Sequence, residues 1–182
     1  KGKKSIFAPL SFVMARKALK QLNEAVKFLK KKYEHTPEVG IVLGSGLGNF
    51  TKEIEIEKEI DYCDIPNFPV STVEGHKGKL IFGNLSGKKI VCMGGRFHFY
   101  EGYSAAEVVF PIRVLGLLGI KTLLLSNAAG GVNPAFKVGD IMIINDHIGI
   151  DMVNPLIGRN IDELGPRFPD MSEAYNKELI KK

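Results

Sequence analysis

Residues 90–103 read IVCMGGRFHFYEGY, and their first four form an apolar run with the character of a strand. If extended geometry continues past the two glycines, Arg96, His98 and Tyr100 face one side. Phe97 and Phe99 then face the other, because strand side chains alternate. One side offers a fixed cation, an imidazole and a phenol, and the other offers aromatic packing. An arginine fork beside an imidazole suits an oxyanion such as phosphate. An edge strand with a solvated polar face is the plainer alternative. Gly94-Gly95 before the segment and Glu101-Gly102 after it favour a loop held at a strand end.

Working outward, the nearest upstream run is Lys79–Gly83. It and Lys89–Met93 predict a hairpin through Asn84-Leu85-Ser86-Gly87-Lys88, with Ile81, Ile90 and Cys92 in the core. Further back, Val39–Leu43 is a short apolar strand feeding Gly44-Ser45-Gly46-Leu47-Gly48. Glycines there let backbone N–H groups approach an anion closely. A Walker loop would end in Gly-Lys-Ser/Thr, and a dinucleotide fingerprint would need a further glycine, so both are disfavoured. A small anion cradle, with the Ser45 hydroxyl as an added donor, stands beside a purely structural turn. Glu53–Ile60 alternates acidic residues and Ile, as a half-exposed strand does. Asp61–Ser71 holds Pro66 and Pro69 and reads as loop. His76 follows in Glu74-Gly75-His76-Lys77-Gly78; a lone loop histidine is more often ordinary than catalytic.

Downstream, Ser104 and Glu107 form a capping box for a helix running to about Leu118, with Gly119 as its stop. Pro111 inside it predicts a bend or a break. Ile120–Leu125 reads as a buried strand. It ends at Ser126-Asn127-Ala128-Ala129-Gly130-Gly131, small residues at a strand's carboxyl end, where open α/β folds hold ligands. A tight turn is the alternative. Asp140–Ile148 reads as a further, largely apolar strand, interrupted by Asn145-Asp146-His147. Asp151–Pro169 is irregular, and Ser172 can cap a last helix starting at Glu173. At the other end, apolar residues recur at helical spacing from Phe12 to Leu29, with lysines mostly on the opposite face. A solvated helix is the bland reading of those lysines, and a membrane-surface helix the competing one. The succession of strands and helices predicts an α/β fold with a central mixed sheet.

Composition narrows the function classes. The chain has 182 residues, is 45% hydrophobic and carries a net charge of +5, enough for one globular domain with a core. Residues 1–35 hold ten Lys/Arg and two Glu, against 15 Lys/Arg and 18 Asp/Glu in the remainder. The positive excess is therefore local to the first helix, which argues against a nucleic-acid surface. No uncharged apolar run is long enough for a membrane span, and no secretory signal is visible. Cys63 and Cys92 are far apart in sequence, so a disulfide framework is not expected and a reducing, cytoplasmic setting is. The four histidines are scattered without HExxH spacing, so no metal site is expected.

Taken together, GSGLG at 44–48, EGHKGKL at 74–80, GRFHFYEGY at 95–103, SNAAGGVNP at 126–134, DH at 146–147 and PRFPDMSEAY at 166–175 resemble the trimeric purine nucleoside phosphorylases. The likeness runs in order, with sensible spacing, almost from the first helix to the last residue. Methylthioadenosine phosphorylase is a relative of similar fold, but Gly95–Tyr103 is more similar to the purine nucleoside enzymes. The resemblance implies one phosphorylase-like domain over residues 1–182, with a partly barrel-like mixed sheet flanked by helices. It implies reversible phosphorolysis of purine (deoxy)ribonucleosides to free base and (deoxy)ribose 1-phosphate. Phosphate is then the co-substrate, no metal or organic cofactor takes part, and the protein is a homotrimer in purine salvage.

Position by position, the resemblance implies phosphate contacts from Ser45, His76, Arg96, His98 and Ala128. It implies sugar contacts from Tyr100, Asn127 and Phe168, the last supplied to a neighbouring subunit. Glu101 matches an acid near the phosphate-binding histidine and is a supporting residue. The family's base-recognising residues are expected beyond Lys182, so the domain is read as incomplete at its C-terminal side. These 182 residues alone are accordingly expected not to turn nucleosides over. A phosphate- or nucleoside-binding α/β module without catalysis is the alternative.

Overall fold

The computed structural model describes residues 10–44, 46–70, 78–150 and 152–182. Helix α1 (Leu10–Lys32) is followed by strands β1 (Val39–Val42), β2 (Glu55–Asp61), β3 (Lys79–Leu85) and β4 (Lys88–Gly94). Helix α2 (Ala105–Leu118), strand β5 (Thr122–Leu125) and a short helix α3 (Lys177–Ile180) complete the order. The five strands make one mixed sheet in the order β2-β3-β4-β1-β5. The pairs β2–β3 and β3–β4 are antiparallel, whereas β4–β1 and β1–β5 are parallel. The sheet is open, with β2 and β5 at its edges, so the partly barrel-like closure expected from the resemblance is not found.

The β3–β4 hairpin turns through Ser86 and Gly87, both at positive φ (49° and 76°), between the paired Leu85 and Lys88. A two-residue turn with that handedness matches the twist of the strands it joins. Alternation along the strands sends Leu80, Phe82, Val91 and Met93 into one cluster and Ile81, Ile90 and Cys92 into another. The first cluster is covered by Leu22, Ala25, Val26 and Leu29 of α1 and by Val114, Leu115 and Leu118 of α2. The second is closed by Ile54 and the half-buried Phe50, next to and within the 3-10 turn Gly48–Glu53. Both faces of the sheet's centre are thus buried, which is why β3 and β4 read as nearly continuous apolar runs.

α2 starts at the expected cap. Glu107 N–H donates to Ser104 Oγ at 3.3 Å, and the Ser104 N–H and hydroxyl donate to Glu107 Oε2 at 2.8 and 2.7 Å. Gly119 closes the helix at φ 109°. The helix runs unbroken through Pro111, contrary to the break allowed for above. Its ring is fully buried, and that burial offsets the one missing amide. The Ser104 hydroxyl and amide hold the Glu107 carboxyl below the usual carboxylate range. A lowered folded-state pKa stabilises above the unfolded value and is lost as pH falls through the folded one. Ser104→Ala should therefore cost about 1 kcal/mol at neutral pH. The gap in melting temperature between variant and parent should narrow in acid, as thermal melts across pH would record.

Three further sequence expectations differ from the structure. Residues 140–148 form no strand, and Ile141, Met142, Ile143 and Ile148 are exposed. An apolar run becomes a strand only when a neighbour supplies the ladder, and among the described residues β5 has none on its outer side. For the same reason Leu124 and Leu125 are more than half exposed rather than buried. The last helix is capped by Asn176, whose side chain accepts from the Leu179 N–H at 2.9 Å. The Ser172 hydroxyl and amide are both engaged by Asp170 instead. Among the described residues, every core side chain lies between Leu22 and Leu118. Residues 126–150 and 152–182 run over the surface, pinned by Leu164 against the core, Arg159 over Phe12 at 4.4 Å, and Arg113 donating to the Pro155 carbonyl at 3.4 Å. No helix among the described residues is long and apolar enough to cross a membrane.

Candidate active site

Parallel strands β4, β1 and β5 lie side by side, with Val42 in register with Met93 on one side and Leu125 on the other. Their carboxyl ends therefore release three segments at one edge of the sheet: Gly44 onward, Gly95 onward and Ser126 onward. This is the edge at which open α/β sheets bind ligands.

Arg96 sits at the meeting point. Its Nη1 donates to the Ser126 carbonyl at 2.8 Å and its Nε to His98 Nε2 at 3.2 Å. His98 Nδ1 lies 2.6 Å from Glu101 Oε1, which also accepts the His98 backbone N–H at 3.0 Å. The tautomer with hydrogen on Nδ1 satisfies both ring nitrogens, donating to Glu101 and accepting from Arg96. Glu101 is nearly buried, its side chain 8% exposed, so its carboxylate is a fixed anchor for the imidazole. The order is a relay: Glu101 orients His98, and His98 with the Ser126 carbonyl orients the guanidinium. The other N–H groups of Arg96 have no protein partner among the described residues.

Local backbone explains the placement. β4 ends at Gly94, Gly95 takes φ 109°, and the chain re-forms as a 3-10 turn over Phe99–Glu101, closed by Gly102 at φ 95°. Extended geometry thus persists only as far as His98. Phe97 is buried and Arg96 and His98 project together, but Phe99 is exposed, because the 3-10 turn ends the alternation. Tyr100 is 83% exposed and stacks on His98, with ring centroids 4.7 Å apart.

Two residues at this edge gain a role only from the structure: Ser126, named in the sequence only as part of the stretch 126–131, and Tyr62. Ser126 Oγ accepts the Gly44 N–H at 2.9 Å and donates to the Val42 carbonyl at 3.1 Å. Tyr62, buried in the loop after β2, donates its hydroxyl to the Gly95 carbonyl at 2.7 Å. Burial pushes the Tyr62 phenol well above its ordinary value, so it remains a donor. Ser126 could be noticed as the first polar residue after an apolar run. Tyr62 lies in an aperiodic loop and carries no such signal.

The remaining site residues fall as follows. Asn127 and Ala128 are exposed on the segment after Ser126, and Asn127 Nδ2 donates to the Ala128 carbonyl at 3.1 Å. Phe168 is 87% exposed, with the Arg167 guanidinium 5.7 Å from its ring centroid. Ser45 and His76 lie outside the described residues. The Gly44 N–H, expected to face an anion, is taken by Ser126. Burial pushes the Cys92 thiol up to about 11, so it is an inert core residue. Among the described residues, no group of three or more His, Cys, Asp or Glu is arranged to hold a metal ion.

A family model described as the phosphorylase superfamily matches residues 38–182. Over 158 residues the chain is 57% identical to purine nucleoside phosphorylase 1 of Geobacillus stearothermophilus, covering 87% of this chain and 58% of that protein. It is 51% identical over 159 residues to the purine nucleoside phosphorylase of Rattus norvegicus, covering 86% of this chain and 55% of that one. The crystal structure of isoform 2 of purine nucleoside phosphorylase from Schistosoma mansoni, in complex with cytosine and ribose-1-phosphate, superposes with a TM-score of 0.83. That match is at 48% identity and covers 89% of this chain and 58% of that one. The chain therefore spans less than two thirds of the length of each of these relatives.

Proposed function

This chain belongs to the phosphorylase superfamily, and we propose that it forms the phosphate- and sugar-facing part of a purine nucleoside phosphorylase. In this reading inorganic phosphate attacks C1′ of a purine ribonucleoside or deoxyribonucleoside. The C1′–N bond breaks, the purine leaves, and ribose or deoxyribose 1-phosphate forms. The task of these residues is to hold a phosphate dianion against a C1′ that becomes cation-like in the transition state. The supporting observation is Arg96, held at two N–H positions by Ser126 and His98 where three strand ends meet. A guanidinium fixed in this way keeps a planar fork for two phosphate oxygens. Ser45, His76 and Ala128 would complete the phosphate contacts, with His98 acting through Arg96 or, by exchanging partners, directly. Tyr100 and Asn127 would face the sugar. The solved S. mansoni relative, in complex with ribose-1-phosphate, supports this chemistry.

The test is inosine cleavage by the whole protein, with and without phosphate. Hypoxanthine release that requires phosphate and yields an equal amount of ribose 1-phosphate is expected. Cleavage independent of phosphate, or none, overturns the reading. No metal or organic cofactor enters, so activity should survive EDTA and dialysis. We further place the enzyme in the cytoplasm, in purine salvage; its two unpaired cysteines suit a reducing compartment.

We also propose a homotrimer in which Phe168 walls the ribose site of a neighbouring subunit. The ring is exposed and has no core partner in its own chain among the described residues. A ribose carries no strong charge, so an aromatic wall chiefly excludes water and orients the sugar. Protomers disabled at Arg96 and at Phe168 should partly restore activity when co-assembled, since some mixed sites keep both residues. Verified mixed trimers that stay inactive would put Phe168 in its own subunit's site or outside any site.

A further inference from the structure

We propose that Ser126 is a positioning residue for phosphate, acting through the Gly44 turn and Arg96. The inference rests on the phosphorylase reading above. Parallel pairing with β1 requires only that the Ser126 N–H donate to the Val42 carbonyl, which it does at 3.0 Å. The hydroxyl does more than end the strand. It donates to that same carbonyl at 3.1 Å, which fixes the side-chain rotamer against the backbone. It also accepts the Gly44 N–H at 2.9 Å, the first amide of the glycine turn. The backbone carbonyl of this residue then takes Arg96 Nη1 at 2.8 Å. One residue thus ties together the ends of β1 and β5 and the segment after β4.

The chemistry follows from the inventory of donors. A hydroxyl has one hydrogen to give and lone pairs to receive. Here the hydrogen goes to Val42, and a lone pair takes Gly44. Gly44 has no room for a side chain, since a Cβ there would lie 2.5 Å from the Ser126 carbonyl oxygen. The two segments are therefore in direct backbone contact, and the hydroxyl sets how they sit against each other. Because the Ser126 carbonyl is borne by the same residue, its direction, and so the angle of the Arg96 fork, depends on that lock. Without the hydroxyl, the Gly44 N–H loses its partner and the Val42 carbonyl keeps only the Ser126 N–H.

The test is Ser126→Ala, Ser126→Thr and Ser126→Cys in the whole protein, beside Arg96→Ala. Phosphate binding is read by calorimetry, and phosphate and nucleoside KM by phosphorolysis. Ser126→Ala should raise the phosphate Kd and KM about five- to tenfold, the loss of roughly one net hydrogen bond, with nucleoside KM changed less than about twofold. Ser126→Thr, which keeps the hydroxyl, should restore parental values, and Ser126→Cys, a weak hydrogen-bonding group, should fall between. Unchanged phosphate affinity in Ser126→Ala overturns the proposal, as does an equal rise in both KM values or failure of Thr to rescue. If Ser126→Ala does not fold, Cys against Thr decides, and a Cys variant equal to the parent overturns it. Loss of phosphate affinity in Arg96→Ala but not in the Ser126 variants would sink this inference alone. A parent protein that binds no phosphate would sink the functional reading with it.

Discussion

Arg96→Ala should raise the phosphate KM about a hundredfold while nucleoside KM changes far less. The guanidinium enters the site already oriented, with Nε on His98 and Nη1 on the Ser126 carbonyl. Two charge-assisted bonds to a phosphate at about 1.5 kcal/mol each give roughly 3 kcal/mol, or about two powers of ten in affinity. Removing the side chain also leaves His98 Nε2 without its donor, so the imidazole that Glu101 anchors loses its partner on the site side. Arg96→Lys should recover little, because an ammonium cannot make both the His98 contact and a planar fork. Steady-state kinetics at varied phosphate and saturating nucleoside would measure the effect. A phosphate KM within about threefold of the parent, less than 1 kcal/mol, would remove Arg96 from the phosphate site.

Gly44→Ala should be the most damaging single-methyl change at this edge. A Cβ at this position would lie 2.5 Å from the Ser126 carbonyl oxygen and 2.8 Å from the Asn127 Cα. These are backbone atoms, so no side chain can swing aside. The ends of β1 and β5 must separate, which breaks the bond from the Gly44 N–H to Ser126 Oγ and displaces the carbonyl that holds Arg96. Overpacking of this kind costs about 1–3 kcal/mol. The variant should melt several degrees lower and bind phosphate at least tenfold more weakly, by analogy with the loss of a fixed hydrogen-bond network. Thermal melts with calorimetric phosphate titration test both parts. Gly116→Ala, on α2, is the control, since a Cβ there meets no atom within contact distance. A Gly44→Ala protein matching that control would mean that the two strand ends yield without consequence.

Much of the fold was legible because it is local. The apolar runs at 79–83 and 89–93 predicted β3 and β4, and Ser86-Gly87 between them turns the hairpin. Ser104 and Glu107 announced α2, and Gly119 its end. The two strand misreadings have one cause. Ile120–Leu125 and Asp140–Ile148 look like buried strands by composition, yet burial depends on what lies against a strand. β5 is an edge strand here, and residues 140–148 have no ladder partner among the described residues. Pro111 was read from its missing amide, whereas its buried ring contributes packing that sequence does not display. Ser172 and Asn176 are both good caps, and only the competing acceptor Asp170 separates them.

The same division runs through the site. Chain order and residue chemistry alone marked Arg96 and His98 as an anion-suited pair, and carried Ser126-Asn127-Ala128 to a strand's carboxyl end. Those are properties of neighbours in sequence, where a period of two and a few glycines set direction. Glu101 on His98 is also a short-range contact, three residues apart. Ser126 beneath Arg96 joins residues 30 apart, and Ser126 against Gly44 joins residues 82 apart. Tyr62 on Gly95 spans 33. No local pattern specifies such pairs, because they arise from parallel strand register, which brings distant chain ends within hydrogen-bond reach. That Arg96 and His98 suit an anion could be read along the chain; how Arg96 is aimed follows from the folding of β4, β1 and β5 into one sheet.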